Sequence, residues 1–116
     1  MDSPRDLLLA EQARTIDRIR VLEREFADIA EAASADGTDD EHDPEGATLA
    51  FERQHTAALL DQAREQLAAV DEALQRLDDG SYGRCTRCGH PIAGERLAAR
   101  PTATTCVTCM STRRTR

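Results

Sequence analysis

"CTRCGHPIAGERLAARPTATTCVTC", Cys85 to Cys109, holds all four cysteines of the chain. They form two CxxC pairs with the spacing C-x2-C-x17-C-x2-C. That spacing lies within the range of structural zinc sites. Each CxxC turn places two thiolates on one side of a tight knuckle, and two knuckles complete a tetrahedron. Cys85, Cys88, Cys106 and Cys109 are therefore the predicted ligands of one zinc ion. With thiolates at all four positions, no site remains for a catalytic water, and the metal is expected to be structural. Gly89 lets the chain turn beneath it. His90 is read as a surface residue, and the isolated His42 and His55 as solvated. Redox chemistry and disulfides are the competing readings of a CxxC. The opening "MDSPRDLLLA" lacks a basic stretch followed by an apolar one, so a cytoplasmic, reducing setting is expected, in which disulfides are disfavoured.

Outside this segment, the composition argues against a thick core. The 116 residues include no tryptophan, one tyrosine and two phenylalanines. Ala, Leu, Glu, Asp and Arg dominate, as in long helices. No apolar run approaches the roughly 20 residues of a membrane span, and no membrane association is expected. The net charge of −7 conceals a split. Residues 1–79 carry eight Arg against 21 acidic residues, whereas residues 80–116 carry seven Arg against Glu95 alone. A zinc tetrathiolate is formally a dianion, and part of this basic excess is expected to offset it.

Two helical stretches precede the cysteines. The first is predicted from Pro4 to Ala35, capped by Ser3 with Pro4 in the first helical position. Ile19, Leu22, Phe26, Ile29 and Ala33 recur in alternating steps of three and four, a heptad seam. The register extends back through Thr15 and Gln12 to Leu8, where it weakens. "SADGTDDEHDPEG", Ser34 to Gly46, interrupts the helix with two Gly, one Pro and six acids. The second helix is predicted from Ala47 to Asp79, with Leu60, Ala63, Leu67, Val70, Leu74 and Leu77 on its seam and Gly80 as its stop. Each helix of about 32 residues spans about 48 Å.

Equal helices around one short polar break favour an intramolecular antiparallel hairpin, and a monomer, over a coiled-coil dimer. The expected fold is thus mainly α: a two-helix coiled-coil hairpin over residues 1–79 with an acidic tip loop at 36–46, then a small four-cysteine zinc finger with a basic tail over 80–116. Ile19, Leu22, Phe26 and Ile29 are expected to face Leu60, Leu67, Val70 and Leu74. The seam is read as helix-on-helix packing rather than a cofactor site.

"YGRCTRCGHPIAGERLAARPTATTCVTC", Tyr82 to Cys109, resembles the zinc finger of the DksA/TraR family. The shared features are the aromatic-Gly-x-Cys entry, the CxxCG knuckle, the run "RLAARPTA" and the second CxxC. A helical hairpin with an acidic tip before the finger extends the likeness over nearly the whole chain. The resemblance implies a transcription regulator that binds RNA polymerase and inserts the hairpin into its secondary channel, modulating initiation. It places Asp40, Asp43, Glu45 and Ala47 at the acting tip. The family's tip carries D-x-x-D-x-A. An ungapped count from Cys85 puts His42, Glu45 and Ala47 there, and a shifted frame puts Asp40 and Asp43 at the two acids. Arg100 matches a basic residue that the family uses near guanosine tetraphosphate, and is the candidate nucleotide or polymerase contact. Ala69 and Met110 replace lysines of that site, so tight binding of guanosine tetraphosphate is not expected.

The alternative is a DNA-binding zinc-finger protein with a helical dimerisation segment, supported by the tail "STRRTR". Only seven residues follow Cys109, too few for a major-groove reading helix, and sequence-specific DNA binding is not expected. An enzyme is not expected either, because no nucleophile–base pair or open metal position is evident.

Overall fold

A computed structural model describes residues 2–36 and 44–113. Two long helices, α1 (Pro4–Asp36) and α2 (Pro44–Asp79), are followed by two short ones, α3 (Gly94–Ala99) and α4 (Val107–Arg113). The fold is the antiparallel coiled-coil hairpin with a C-terminal cysteine module that the heptads and the CxxC pairs predict. Asp40 and Asp43 of the expected tip lie outside the described residues. Residues 44–46, read as loop from the sequence, form the first turn of α2, which therefore includes Glu45. Proline is favoured at the first helical position because its missing N–H has no intrahelical partner there.

Helix α1 begins as its sequence predicts. Ser3 Oγ accepts from the Asp6 backbone N–H at 3.1 Å, and the Ser3 N–H donates to the Asp6 carboxylate at 3.4 Å. This reciprocal cap satisfies two groups that the helix start would leave open. At the other end of α2, Gly80 adopts φ +84, and the Ser81 and Tyr82 N–H groups both donate to the Arg76 carbonyl at 3.0 and 3.2 Å. The left-handed glycine folds the chain back over the last turn of the helix.

The chain divides into two compact units, one comprising Met1–Ala13 with Ala68–Arg116 and the other Arg14–Leu67. In the first, Leu8, Val70 and Ala73 are buried together, and Leu74, Leu77 and Tyr82 pack against them. Arg5 pairs with Asp78 at 2.8 Å and the Gln12 amide donates to Asp71 at 3.0 Å. Seven residues forward along α1 thus correspond to seven residues back along α2, an antiparallel register. In the second unit, Leu22 is buried with Leu60 and Ala63, flanked by Ile19 and Leu59, and Arg64 bridges to Glu23 at 3.1 Å.

These contacts correct the expected pairing. Val70 and Leu74 pack with Leu8 rather than with the Ile19–Ile29 stripe. In an antiparallel pair, residues near the start of α1 must meet those near the end of α2. The seam is also not weaker at Leu8, which has no exposed surface. Ala73, absent from the predicted seam, is fully buried. Its small side chain lets Leu8 and Val70 close over that turn. The seam threonines Thr15 and Thr56 are buried, yet no buried side-chain polar atom lacks a partner among the described residues.

Candidate metal centre

After Gly80 the backbone forms a tight knuckle. Arg84 and Pro91 make an isolated antiparallel bridge. The Ile92 N–H donates to the Gly83 carbonyl at 2.7 Å and the Cys85 N–H to the His90 carbonyl at 2.9 Å. The Gly89 N–H closes the turn onto the Cys85 carbonyl, also at 2.9 Å. Gly83 and Gly89 have φ of +86 and +77. Only glycine takes up this left-handed geometry without strain, so both positions of the knuckle are tied to it.

The second pair is brought to the first by backbone bonding. The Thr86 N–H donates to the Thr104 carbonyl at 2.8 Å, just before Cys106. Helix α4 then starts at Val107 and carries Cys109 in its first turn, where the Met110 N–H bonds back to the Cys106 carbonyl. Thus a short helix forms at the second CxxC and starts within it.

All four sulfurs lie within 4.8 Å of one another. The Cys88 and Cys106 Sγ atoms are 3.8 Å apart. A tetrahedron with Zn–S of about 2.3 Å has edges of about 3.8 Å, the separation of this pair, so the convergent set suits a zinc ion. Cys85 is buried, Cys106 and Cys109 are half-buried, and Cys88 is exposed. His90 is exposed and is not part of the convergent group.

The thiols are electrostatically unequal. Backbone N–H donation from Cys106, then Cys88, lowers the Cys85 pKa to about 5, with a further contribution from the Arg87 N–H. The last contact spans 3.4 Å. Cys109, which shares hydrogen bonds first with the Cys106 and then with the Cys85 sulfur, is pushed up to about 12. Backbone N–H donation thus favours the thiolate at Cys85, the form that a metal ligand takes. A divalent cation satisfies the same lone pairs.

The basic excess is expected to offset the thiolate charge, but the donors at Cys85 Sγ are backbone N–H groups, those of Cys106 and Cys88 with a further contribution from Arg87. The guanidinium of Arg96 instead bridges the module, donating from Nε to the Thr105 carbonyl at 2.9 Å and lying 3.2 Å from Met110 Sδ. Arg84 donates to the Gly89 carbonyl at 3.0 Å, bracing the first knuckle. Tyr82 caps the module's edge by donating from its hydroxyl to the Pro101 carbonyl at 2.8 Å. Neither arginine role is visible in charge patterning, which locates cations but not the carbonyls they reach.

The remaining candidate residues are not among the converging ligands. Arg100 is exposed and follows α3, its N–H bonded to the Arg96 carbonyl at 2.7 Å. Ala47 is exposed in the first turns of α2. No helix among the described residues is long and apolar enough to cross a membrane.

Comparison with known proteins follows the same outline. A family profile described as the prokaryotic dksA/traR C4-type zinc finger matches residues 80–112. The chain is 33% identical over 97 residues to the "RNA polymerase-binding transcription factor DksA" of Caulobacter vibrioides, covering 84% of this chain and 58% of the relative. It therefore spans somewhat more than half the length of that protein. General stress protein 16O of Bacillus subtilis is 39% identical over 64 residues, 55% of this chain and 39% of that protein. The solved structure of transcription factor DksA2 from Pseudomonas aeruginosa superposes with a TM-score of 0.81 at 32% identity, over 97% of this chain and 81% of that one.

Proposed function

This chain belongs to the DksA/TraR family of C4-type zinc-finger proteins, and on that premise we propose that it binds RNA polymerase and regulates initiation by inserting its hairpin into the secondary channel. The observation that carries this reading is the match to DksA2 over 97% of the chain, which takes in hairpin and finger together. In this reading Cys85, Cys88, Cys106 and Cys109 hold one structural zinc. Bound there, the ion would cross-link a module with almost no apolar core of its own. Asp40, Asp43, Glu45 and Ala47 form the segment that approaches the active centre.

The charge distribution supports a protein target. Residues 1–79 carry eight Arg against 21 acids, so phosphate backbones repel the hairpin, while basic protein walls and Mg²⁺-bearing sites attract it. Arg100 is left as a contact to polymerase rather than as part of a strong tetraphosphate site, since Ala69 and Met110 stand where the family's site has lysines. The test is co-purification with RNA polymerase, followed by site-specific crosslinking from residue 43. Adducts within the secondary channel support the proposal. Adducts confined to promoter DNA, or a band shift on DNA without polymerase, reject it.

A further inference from the structure

Helix α2 displays one large aromatic ring that folding leaves outside. Phe51 is 71% exposed. It stacks on His55, one helical turn further on, with ring centroids 6.5 Å apart and planes inclined by 9°. The pair therefore presents aromatic faces on a helix, where i,i+4 neighbours hold each other in place. Adjoining it is a cleft of about 360 Å³ lined by Glu25, Asp28 and Ile29 of α1 and by Glu52, His55 and Thr56 of α2. All these residues belong to one compact unit.

The chemistry of this surface selects its occupant. The face of an aromatic ring is negative and attracts cations, and three carboxylates border the same cleft. Those carboxylates do not converge on one point, because the cysteines are the one metal-type cluster among the described residues. A spread, planar cation suits such a site better than a bare metal ion. Nucleic acid phosphates are repelled by the same charges. An apolar helix would leave Glu25, Asp28 and Glu52 desolvated against it, a cost that Ile29 and Phe51 alone do not offset. We propose that the Phe51–His55 pair and the adjoining cleft dock an arginine side chain presented by a basic surface of RNA polymerase. This inference rests on the polymerase reading and adds a contact through residues that belong neither to the acidic segment 36–46 nor to the cysteine module.

Competition binding of the full, zinc-loaded chain to purified bacterial RNA polymerase tests it. Phe51→Ala is expected to weaken binding roughly tenfold, the scale of a partly desolvated cation–π contact. Phe51→Trp is expected to retain affinity, and Phe51→Leu to lose it despite keeping apolar area. Combining Glu25→Gln, Asp28→Asn and Glu52→Gln is expected to weaken binding and flatten its salt dependence. Phe51→Gln repeats the ring deletion if Phe51→Ala alters the melting curve. Wild-type affinity in the ring-deleted and carboxylate variants overturns this docking site while leaving the polymerase reading intact. Retained affinity in Phe51→Leu overturns the cationic occupant in favour of an apolar one. Failure of the wild-type chain to bind polymerase overturns both.

Discussion

Single side chains in this protein differ sharply in what folding asks of them. Leu8 is wholly buried with Val70 and Ala73, whereas Phe26 on the same heptad stripe is only half-buried. Leu8→Ala is therefore expected to destabilise the chain by about 2–5 kcal/mol, through lost transfer energy and a cavity. Phe26→Ala should cost less than the ~3–5 kcal/mol of a fully buried ring, and urea melts of the two variants check the order. Asp79 illustrates a different residue-scale effect. Its carboxylate accepts from Ser81 Oγ at 2.6 Å and from the Ser81 N–H at 3.0 Å. The Ser81 hydroxyl first, and the backbone N–H second, hold its pKa below the ordinary 3.8. Since the folded value is depressed, the associated stability is present above 3.8 and is lost as pH falls through the folded value. An NMR titration should give an Asp79 midpoint below 3.8 that Ser81→Ala moves upward; a midpoint indifferent to that substitution would remove the assigned cause.

Among the elements, the cysteine module depends on a small number of backbone turns and on a metal. Cys106→Ser is expected to release zinc and to melt the knuckles, while most of the helical circular dichroism from α1 and α2 persists. Stoichiometric zinc retained by this variant, or an ordered finger in the metal-free wild type, would contradict the proposed structural role. Both halves of the metal set were legible in the sequence, because two CxxC pairs at a 17-residue interval leave little geometric freedom. The heptads likewise disclosed the seam through Leu22, Leu60 and Ala63, since apolar periodicity reports directly on which helix face is buried. Ala73 escaped notice because a reading led by large side chains steps from Val70 to Leu74 and passes over the small residue on which they close. The early start of α2 was hidden by its composition. Pro44 and Gly46 read as helix breakers, yet proline is well tolerated in the first turn. The bridging contacts of Arg96 were illegible for another reason: they join Thr105 and Met110 through tertiary geometry that no local pattern encodes.

At the scale of the whole molecule, the distribution of charge separates what holds the chain together from what it does to a partner. The segment 36–46 concentrates Asp36, Asp39, Asp40, Glu41, Asp43 and Glu45 within eleven residues. Clustered carboxylates repel one another, so this segment is expected to add little to folding. If the hairpin enters the secondary channel, these acids are the groups carried towards the catalytic machinery, while the remaining surface supplies most of the contact area. Asp43→Asn combined with Glu45→Gln should then leave the melting temperature unchanged or slightly raised, and affinity for polymerase nearly unaltered. The lifetime of the open promoter complex should respond instead, because charge near the active centre acts on the state of the polymerase rather than on its occupancy by the hairpin. Open-complex decay at saturating protein separates the possibilities. A double variant whose decay curve returns towards that of polymerase alone assigns the regulatory effect to the acids. Identical curves for variant and wild type, both displaced from polymerase alone, would mean that the hairpin acts by filling the channel and that these acids are merely solvated.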